Sequence, residues 1–373
     1  MISKAIKSIK LKLIILISLF LCRYKWRILN VPKFKNPLVS IIIPVYNKFE
    51  YTYRCISSII KSEENISYEI IIANDNSDDE TKIIDKYIKN IIVINNQVKY
   101  NYLINCNRAS KIAKGKYILF LNNDTKVLKD WLSSLVKLIQ NDEKIGMVGS
   151  KFIYSNRKLQ EAGGIVFNNG QCINYGNGDN PDYPQYNYVK EVDYISGASI
   201  MIKKDIWENL GGFDERFSPA YYEDTDFSFK LRSNGFKVLY QPKSVVLHYE
   251  GISNGKYLNT GIKKYQEINK IKFIEKWKNE LINQQDIMNT FLAKDRVFNN
   301  NRILIIDHKV PNFDKDAGGR CTYMYLNLFK EIGFQVTFIG NDLRNMSLIR
   351  VFFSKMELRY YTEKYLKKLL KNG

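Results

Sequence analysis

An α/β domain built on a mixed, mostly parallel sheet is what the sequence predicts, on three observations. Val39 to Ile43, Tyr68 to Ala73 and Tyr117 to Leu121 are short, nearly continuous apolar runs, the pattern of strands buried on both faces. Between the first two, Cys55, Ile56, Ile59 and Ile60 form a helical stripe within Lys48 to Ser62. Strand, helix and strand in that order imply a parallel pair with a right-handed crossover. The runs also stop in polar residues, which line the edge where open α/β sheets bind ligands.

The chain has 373 residues, enough for one large α/β domain with additions or for two smaller domains. Lys and Arg total 57 against 38 acids, a formal charge of +19, which points to an anionic partner or surface. Seven of those basic residues fall in 1–30 with no acid, leaving +12 (19 − 7) for the rest. Lys, Asn, Ile and Tyr are abundant throughout, so charge by itself is a weak guide, and no nucleic-acid partner is expected. Cys22, Cys55, Cys106, Cys172 and Cys321 are scattered with no metal-ligand or pairing spacing, and read as free thiols of a reducing compartment.

At the N-terminus Lys4, Lys7, Lys10 and Lys12 precede the apolar run Leu13 to Cys22, closed by Arg23, Lys25 and Arg27. About ten apolar residues at roughly 1.5 Å each reach half of a hydrocarbon core, so residues 1–30 read as a membrane-associating helix lying on an anionic surface. A segment packed on the domain and an uncleaved signal anchor are the alternatives. With the thiols, this places the protein in the cytoplasm, peripheral on the inner face of the plasma membrane.

The main domain is expected over 31–285. Its first strand ends at Pro44, and Pro44-Val45-Tyr46-Asn47 reads as a loop. The second stops in Asn74-Asp75-Asn76-Ser77-Asp78-Asp79, which makes Asp75 a candidate for bonding a base or ribose, or simply part of a turn. Ile91 to Ile94 predicts a third strand and Asn107 to Lys114 a helix stopped by Gly115. The fourth, Tyr117 to Leu121, ends in Asn122-Asn123-Asp124-Thr125, and an acid at the end of a buried strand must be paired, hydrogen-bonded or metal-bound. Asp124 is accordingly a candidate metal ligand. Trp131, Leu135 and Leu138 mark a packing helix after it.

From Glu161 to Ile195 the chain reads as loop, with Tyr175, Tyr183, Tyr186 and Tyr188 either stacking on the rings of a ligand or forming a structured cover. Gly211-Gly212 ends a helix, a loop through Pro219 follows, and Glu223-Asp224-Thr225-Asp226 opens a helix to Asn234. Those acids either complement the helix dipole or seat a general base. Val245 to Leu247 predicts a strand ending at His248, and Ile262 to Lys278 a basic amphipathic helix that docks on membrane or packs on the domain. Residues 286–300 read as an Asn/Gln-rich linker. In 301–373, Arg302 to Asp307 and Gln335 to Ile339 are expected strands, Ala317-Gly318-Gly319 a glycine loop and Cys321 to Ile332 a helix, a partial Rossmann-like unit.

Four blocks carry a resemblance: Val39 to Asn47, Ala73 to Ser77, Phe120 to Asp124, and Gly211 to Asp226. Over roughly 38–255 they resemble family 2 glycosyltransferases of the GT-A nucleotide-diphospho-sugar transferase fold, and Glu161-Ala162-Gly163-Gly164 and Ser196-Gly197-Ala198 are similar to its O-antigen and rhamnosyltransferase subgroup. The resemblance implies a nucleotide-diphosphate sugar as donor, a glycan or lipid-linked acceptor of a bacterial surface polysaccharide, and a divalent cation, Mn2+ or Mg2+. It places Pro44, Val45, Tyr46, Asn47, Asn74, Asp75, Asn107, Asn122 and Asn123 on the donor, and Asp124 and His248 on the metal. Asp224 takes the role of base, with Glu223 orienting it or touching the acceptor, while Gly163, Gly164, Ser196, Gly197 and Tyr222 face the acceptor and Asp226 caps the helix. One base and direct attack imply inversion. Asn122 stands where the family has the first Asp of its metal motif, Asn74 where Asp is frequent and Ala109 where Gly is usual. An inactive membrane-bound scaffold and a nucleotidyltransferase on a similar fold are the rival readings. The 301–373 unit resembles the opening of a GT-B glycosyltransferase, truncated.

Overall fold

The computed structural model describes residues 26–249, 264–294, 296, 302–311, 314–340 and 359–361. The expected membrane-associating helix, with Cys22, lies outside the described residues. None of the described helices is long and apolar enough to cross a membrane.

In chain order the strands and helices of the main domain are β1 (Val39–Val45), α1 (Phe49–Lys61), β2 (Tyr68–Asn74), β3 (Ile92–Asn95), α2 (Asn101–Ser110), β4 (Tyr117–Leu121), β5 (Thr125–Val127) and α3 (Trp131–Ile139). The second half adds β6 (Ile145–Ile153), β7 (Leu159–Glu161), β8 (Gly164–Val166), β9 (Cys172–Asn174), β10 (Lys190–Glu191), β11 (Ser199–Lys203), α4 (Lys204–Asn209), α5 (Glu223–Ser233), β12 (Lys237–His248) and α6 (Tyr265–Lys276). A ten-stranded sheet runs β10-β12-β6-β11-β4-β1-β2-β3, with β5 joined to β12 and β7 to β6. From β3 to β4 it is parallel throughout, whereas β11 runs antiparallel to both β4 and β6.

Alternation along the strands fixes the layers, because successive side chains leave a strand on opposite faces. Ile41, Ile43, Ile70 and Ile72 face α1 and α3, meeting Cys55, Ile56, Trp131 and Leu135. Ile42, Ile71, Ile118 and Phe120 face α2, α4 and α5, meeting Leu103, Trp207 and Phe227. Both faces are covered, which is why these strands read as unbroken apolar runs.

Several sequence expectations shift. Pro44 and Val45 belong to β1, not to a loop, and Pro44 pairs with Ala73 of β2. Pairing to β4 has already stopped at Ile42 and Phe120, so the missing proline N–H costs no ladder bond on that side. Helix α2 starts at Asn101, six positions before the expected Asn107. Its first N–H groups are met by Asp75, whose oxygens accept from Tyr100 and Asn101 at 2.7 Å each, a cap from a distant strand with no local signal. The stretch from Glu161 to Ile195 holds the short strands β8, β9 and β10, not loop alone.

Residues 286–296 are not a free linker. Ala293 clusters with Ile165 and Phe167, and Arg296 binds Asp193 and Gln284. The C-terminal unit is a three-stranded parallel sheet of β13 (Arg302–Asp307), β14 (Gln335–Gly340) and β15 (Arg359–Tyr361), with α7 (Ala317–Glu331) between the first two. Its Gly318-Gly319 lies inside the first turn of α7 and not in a loop before it, since Asp316 caps the helix through Gly319 N–H.

Candidate active site

A cleft of about 400 Å³ opens at the carboxyl ends of β1, β2 and β4. On one side Pro44, Val45, Tyr46 and Asp75 line it, joined by Asn122, Asn123 and Asp124 after β4. Ser196, Gly197, Tyr222, Glu223 and Asp224 line the other, and His248 closes the set. Asp124 and Asp224, a hundred positions apart, thus share one cavity.

Strand register brings Asp124 to His248. Strand β5 begins one residue after Asp124 and pairs antiparallel with β12, with Thr125 opposite His248. Tyr249 N–H then donates to Asp124 O at 2.9 Å, and His248 Nε2 comes within 3.3 Å of Asp124 Oδ1. The far ring nitrogen of His248 lies 3.1 Å from Nε2 of Gln160, the middle residue of β7. Both side chains are nearly buried, at 12% and 7% exposure, so an acceptor and an imidazole sit side by side with little water around them. The described residues hold no group of three or more His, Cys, Asp and Glu side chains arranged for a metal.

Asp224 sits in the first turn of α5, behind Tyr221 and Tyr222, whose φ values of 74° and 70° turn the chain sharply into the helix. Its Oδ2 accepts from Gly197 N–H at 2.8 Å, and Oδ1 from Thr225 N–H at 2.7 Å and Thr225 Oγ1 at 3.2 Å. Burial raises the Asp224 carboxyl above the usual aspartate range, and the Gly197 and Thr225 bonds oppose that rise in part. Glu223 is pushed up further, first by burial and then by the neighbouring Asp224 charge, and its Oε2 has no hydrogen-bond partner among the described residues. The Ser196-Gly197-Ala198 turn serves both halves, since Ala198 O accepts from Asn122 N–H while Gly197 holds Asp224.

Other expected site residues stand elsewhere. Asn107 does not line the cleft: its amide grips Phe213 at both ends, Nδ2 to O at 2.8 Å and Oδ1 from N–H at 3.0 Å. Asn74 bonds Asn95 and Ser77, and Asn47 bonds Ser77 and Asp78, which ties the loops after β1 and β2 together behind the cavity. Gly163 and Gly164 sit under Val192 and Tyr194, where a Cβ would come within 2.6 and 2.1 Å of those side chains. Close packing explains both glycines. Tyr186 and Tyr188 are buried, and Tyr175, Tyr188 and Tyr240 surround Lys190 Nζ, so these tyrosines form a cover. Asp226 is not a helix cap: wholly buried, it takes Lys276 Nζ and Trp277 Nε1 at 2.7 Å each. Gln160, Lys99 and Tyr102 also line the cavity, and no sequence motif had marked them.

The fold and the cavity define a nucleotide-diphospho-sugar transferase architecture of GT-A type. Residues 40–210 match the model of glycosyl transferase family 2. It is 26% identical over 228 residues to the O-antigen biosynthesis protein RfbC of Myxococcus xanthus, covering 58% of this chain and 18% of that one. It is 34% identical over 145 residues to the UDP-Glc:alpha-D-GlcNAc-diphosphoundecaprenol beta-1,3-glucosyltransferase WfaP of Escherichia coli, covering 37% of this chain and 54% of that one. The chain thus spans about a fifth to a half of these curated relatives. Among solved structures, GalNAc-T7 with UDP, GalNAc and Mn2+ superposes with a TM-score of 0.54 at 17% identity, over 67% of this chain and 50% of that one, which supports the fold.

Proposed function

We propose that the chain is an inverting glycosyltransferase that moves a sugar from a nucleotide-diphosphate donor to a glycan or lipid-linked acceptor in bacterial surface polysaccharide synthesis. One observation carries the reading: Asp124 with His248, and Asp224 with Glu223, line a single cleft at the carboxyl edge of the sheet. RfbC and WfaP, each similar to part of this chain, bear names from O-antigen synthesis and lipid-linked glucosyl transfer.

The donor set fits a divalent cation. Five carboxylates line the cleft, Asp75, Asp124, Glu161, Glu223 and Asp224, against Lys99 as the one Lys or Arg among the described lining residues. A diphosphate entering such a cleft is repelled unless a cation comes with it. Asp124 and His248 would hold the ion, with phosphate and water completing its shell, a donor set that Mn2+ or Mg2+ accepts. The bound ion offsets charge on the departing diphosphate.

In the transfer itself, Asp224 takes the proton of the acceptor hydroxyl as that oxygen bonds to the anomeric carbon and the bond from carbon to phosphate oxygen breaks. Its raised carboxyl is a better base than an exposed aspartate, and the Gly197 and Thr225 bonds fix its direction. A single displacement inverts the anomeric centre. Glu223 orients the acceptor beside it. The reading places the protein in the cytoplasm, peripheral on the inner face of the plasma membrane, as expected from residues 1–30.

Mass-spectrometric screening of purified protein with Mn2+ across nucleotide sugars tests the proposal. Release of nucleoside diphosphate from at least one donor, abolished by chelation, is the expected result. No turnover of any donor, with or without acceptor glycans, refutes it.

A further inference from the structure

Helix α6 lies outside the matched family region, yet it grips the loop that leads into the base. Asn269 is wholly buried, and its Nδ2 lies 2.7, 2.9 and 3.0 Å from the carbonyl oxygens of Phe217, Ala220 and Tyr221. Its own oxygen meets no donor among the described residues. On the same helix Lys272 Nζ donates to Arg216 O at 2.7 Å, and Lys276 Nζ reaches Asp214 at 2.8 Å as well as Asp226.

The loop needs such a grip for two physical reasons. Tyr221 and Tyr222 both hold left-handed backbone angles, which residues with a Cβ adopt only when their surroundings over-determine them. The carbonyls of Phe217, Ala220 and Tyr221 also converge on one buried point, where their dipoles repel unless a donor stands among them. The Asn269 amide is that donor. Two residues beyond Tyr222 comes Asp224.

We infer that Asn269 is a positioning residue for sugar transfer: by pinning the Phe217–Tyr222 turn it aims Asp224 at the acceptor hydroxyl. The inference rests on the reading of Asp224 as the general base. Asn269 is absent from the cleft lining, so it acts through the turn and leaves the donor end alone. An apolar residue of the same size fills the space but strands three carbonyls, and an aspartate sets a second oxygen against them.

The test compares Asn269→Leu, Asn269→Asp and the milder Lys272→Met, which loses one peripheral bond and keeps the amide clamp. Hydrogen exchange over peptides spanning 217–225, titration with nucleoside diphosphate and Mn2+, and kcat and KM for acceptor are measured on each. For the Asn269 variants exchange in that peptide is expected to quicken and kcat to fall about a hundredfold, as a displacement of about 1 Å does, with nucleotide affinity within about threefold. Lys272→Met shifts kcat the same way by less than about tenfold, and it carries the test if the Asn269 variants do not fold. If wild type transfers sugar and folded Asn269→Leu matches its kcat, or 217–225 exchanges no faster, the inference falls alone. If wild type transfers no sugar from any donor, the catalytic reading falls and takes the inference with it.

Discussion

Replacing Asp224 by Asn separates the proposed base from everything else in the cleft. In the native site Oδ2 accepts from Gly197 N–H and Oδ1 from Thr225 N–H, so the carboxylate faces two donors that both need an acceptor. An amide satisfies one and turns its NH2 on the other. A buried N–H left in that state costs about 1–3 kcal/mol, offset in part because the like charge beside Glu223 is gone. Stability should therefore drop modestly and the fold survive. The catalytic loss is larger: a positioned general base contributes about 10²–10⁴-fold, which at roughly 1.4 kcal/mol per decade is about 3–6 kcal/mol of barrier. Sugar transfer at saturating donor, followed by mass spectrometry, reads the rate, while calorimetric titration with nucleoside diphosphate and Mn2+ reads donor binding. The expected result is kcat down by at least about a hundredfold with nucleotide affinity within about threefold. A variant that keeps its turnover, or one that loses nucleotide binding and transfers normally once saturated, removes Asp224 from the role of base.

Two other outcomes follow from the same geometry. Asp124→Ala should weaken Mn2+-dependent nucleotide binding by at least about tenfold, and an unchanged Mn2+ titration takes Asp124 out of the metal site. Glu223→Gln should stabilise the protein near neutral pH: the folded carboxyl is raised above its ordinary value of 4.5, so Glu223 contributes stability below that value and loses it as pH rises through the folded pKa. Urea midpoints across pH should show the variant ahead at about pH 7 and level with wild type below about pH 4, and a constant gap contradicts the assignment.

How much of this was legible in the sequence depends on the distance over which each decision is made. Strands buried on both faces announce themselves, so Val39 to Ile43 and Tyr117 to Leu121 read correctly, and the blocks around Asp124 and Asp224 marked the two halves of the cleft. Helix α2 did not show its start because Asp75, from another strand, supplies its cap. Asp226 looked like a helix cap because its neighbours on the chain are acids, whereas its partners, Lys276 and Trp277, arrive from fifty residues downstream. The resemblance put Asn107 on the donor, whereas its partner Phe213 is 106 positions away, a contact that no local pattern displays. Strands of two or three residues such as β8 and β10 are too short to show alternation, so the cover over Lys190 passed for loop.

From Val238 opposite Met147, strand β12 follows β6 in register as far as Gln241 opposite Ser150, then resumes with Val245 opposite Lys151, so residues 242–244 have no counterpart. Ser244 is pinned there by Ser150, which also reaches Ser199. Because side chains alternate along a strand, a deletion in that detour that the ladder takes up as a one-residue slip would carry Leu247 out of place and swing the imidazole to the opposite side of the sheet, away from Asp124. The length of a plain surplus in the ladder thereby bears on the proposed cation seat as much as the histidine at its end does. Insertions and deletions there should be tolerated far less well than point changes in the residues that compose it.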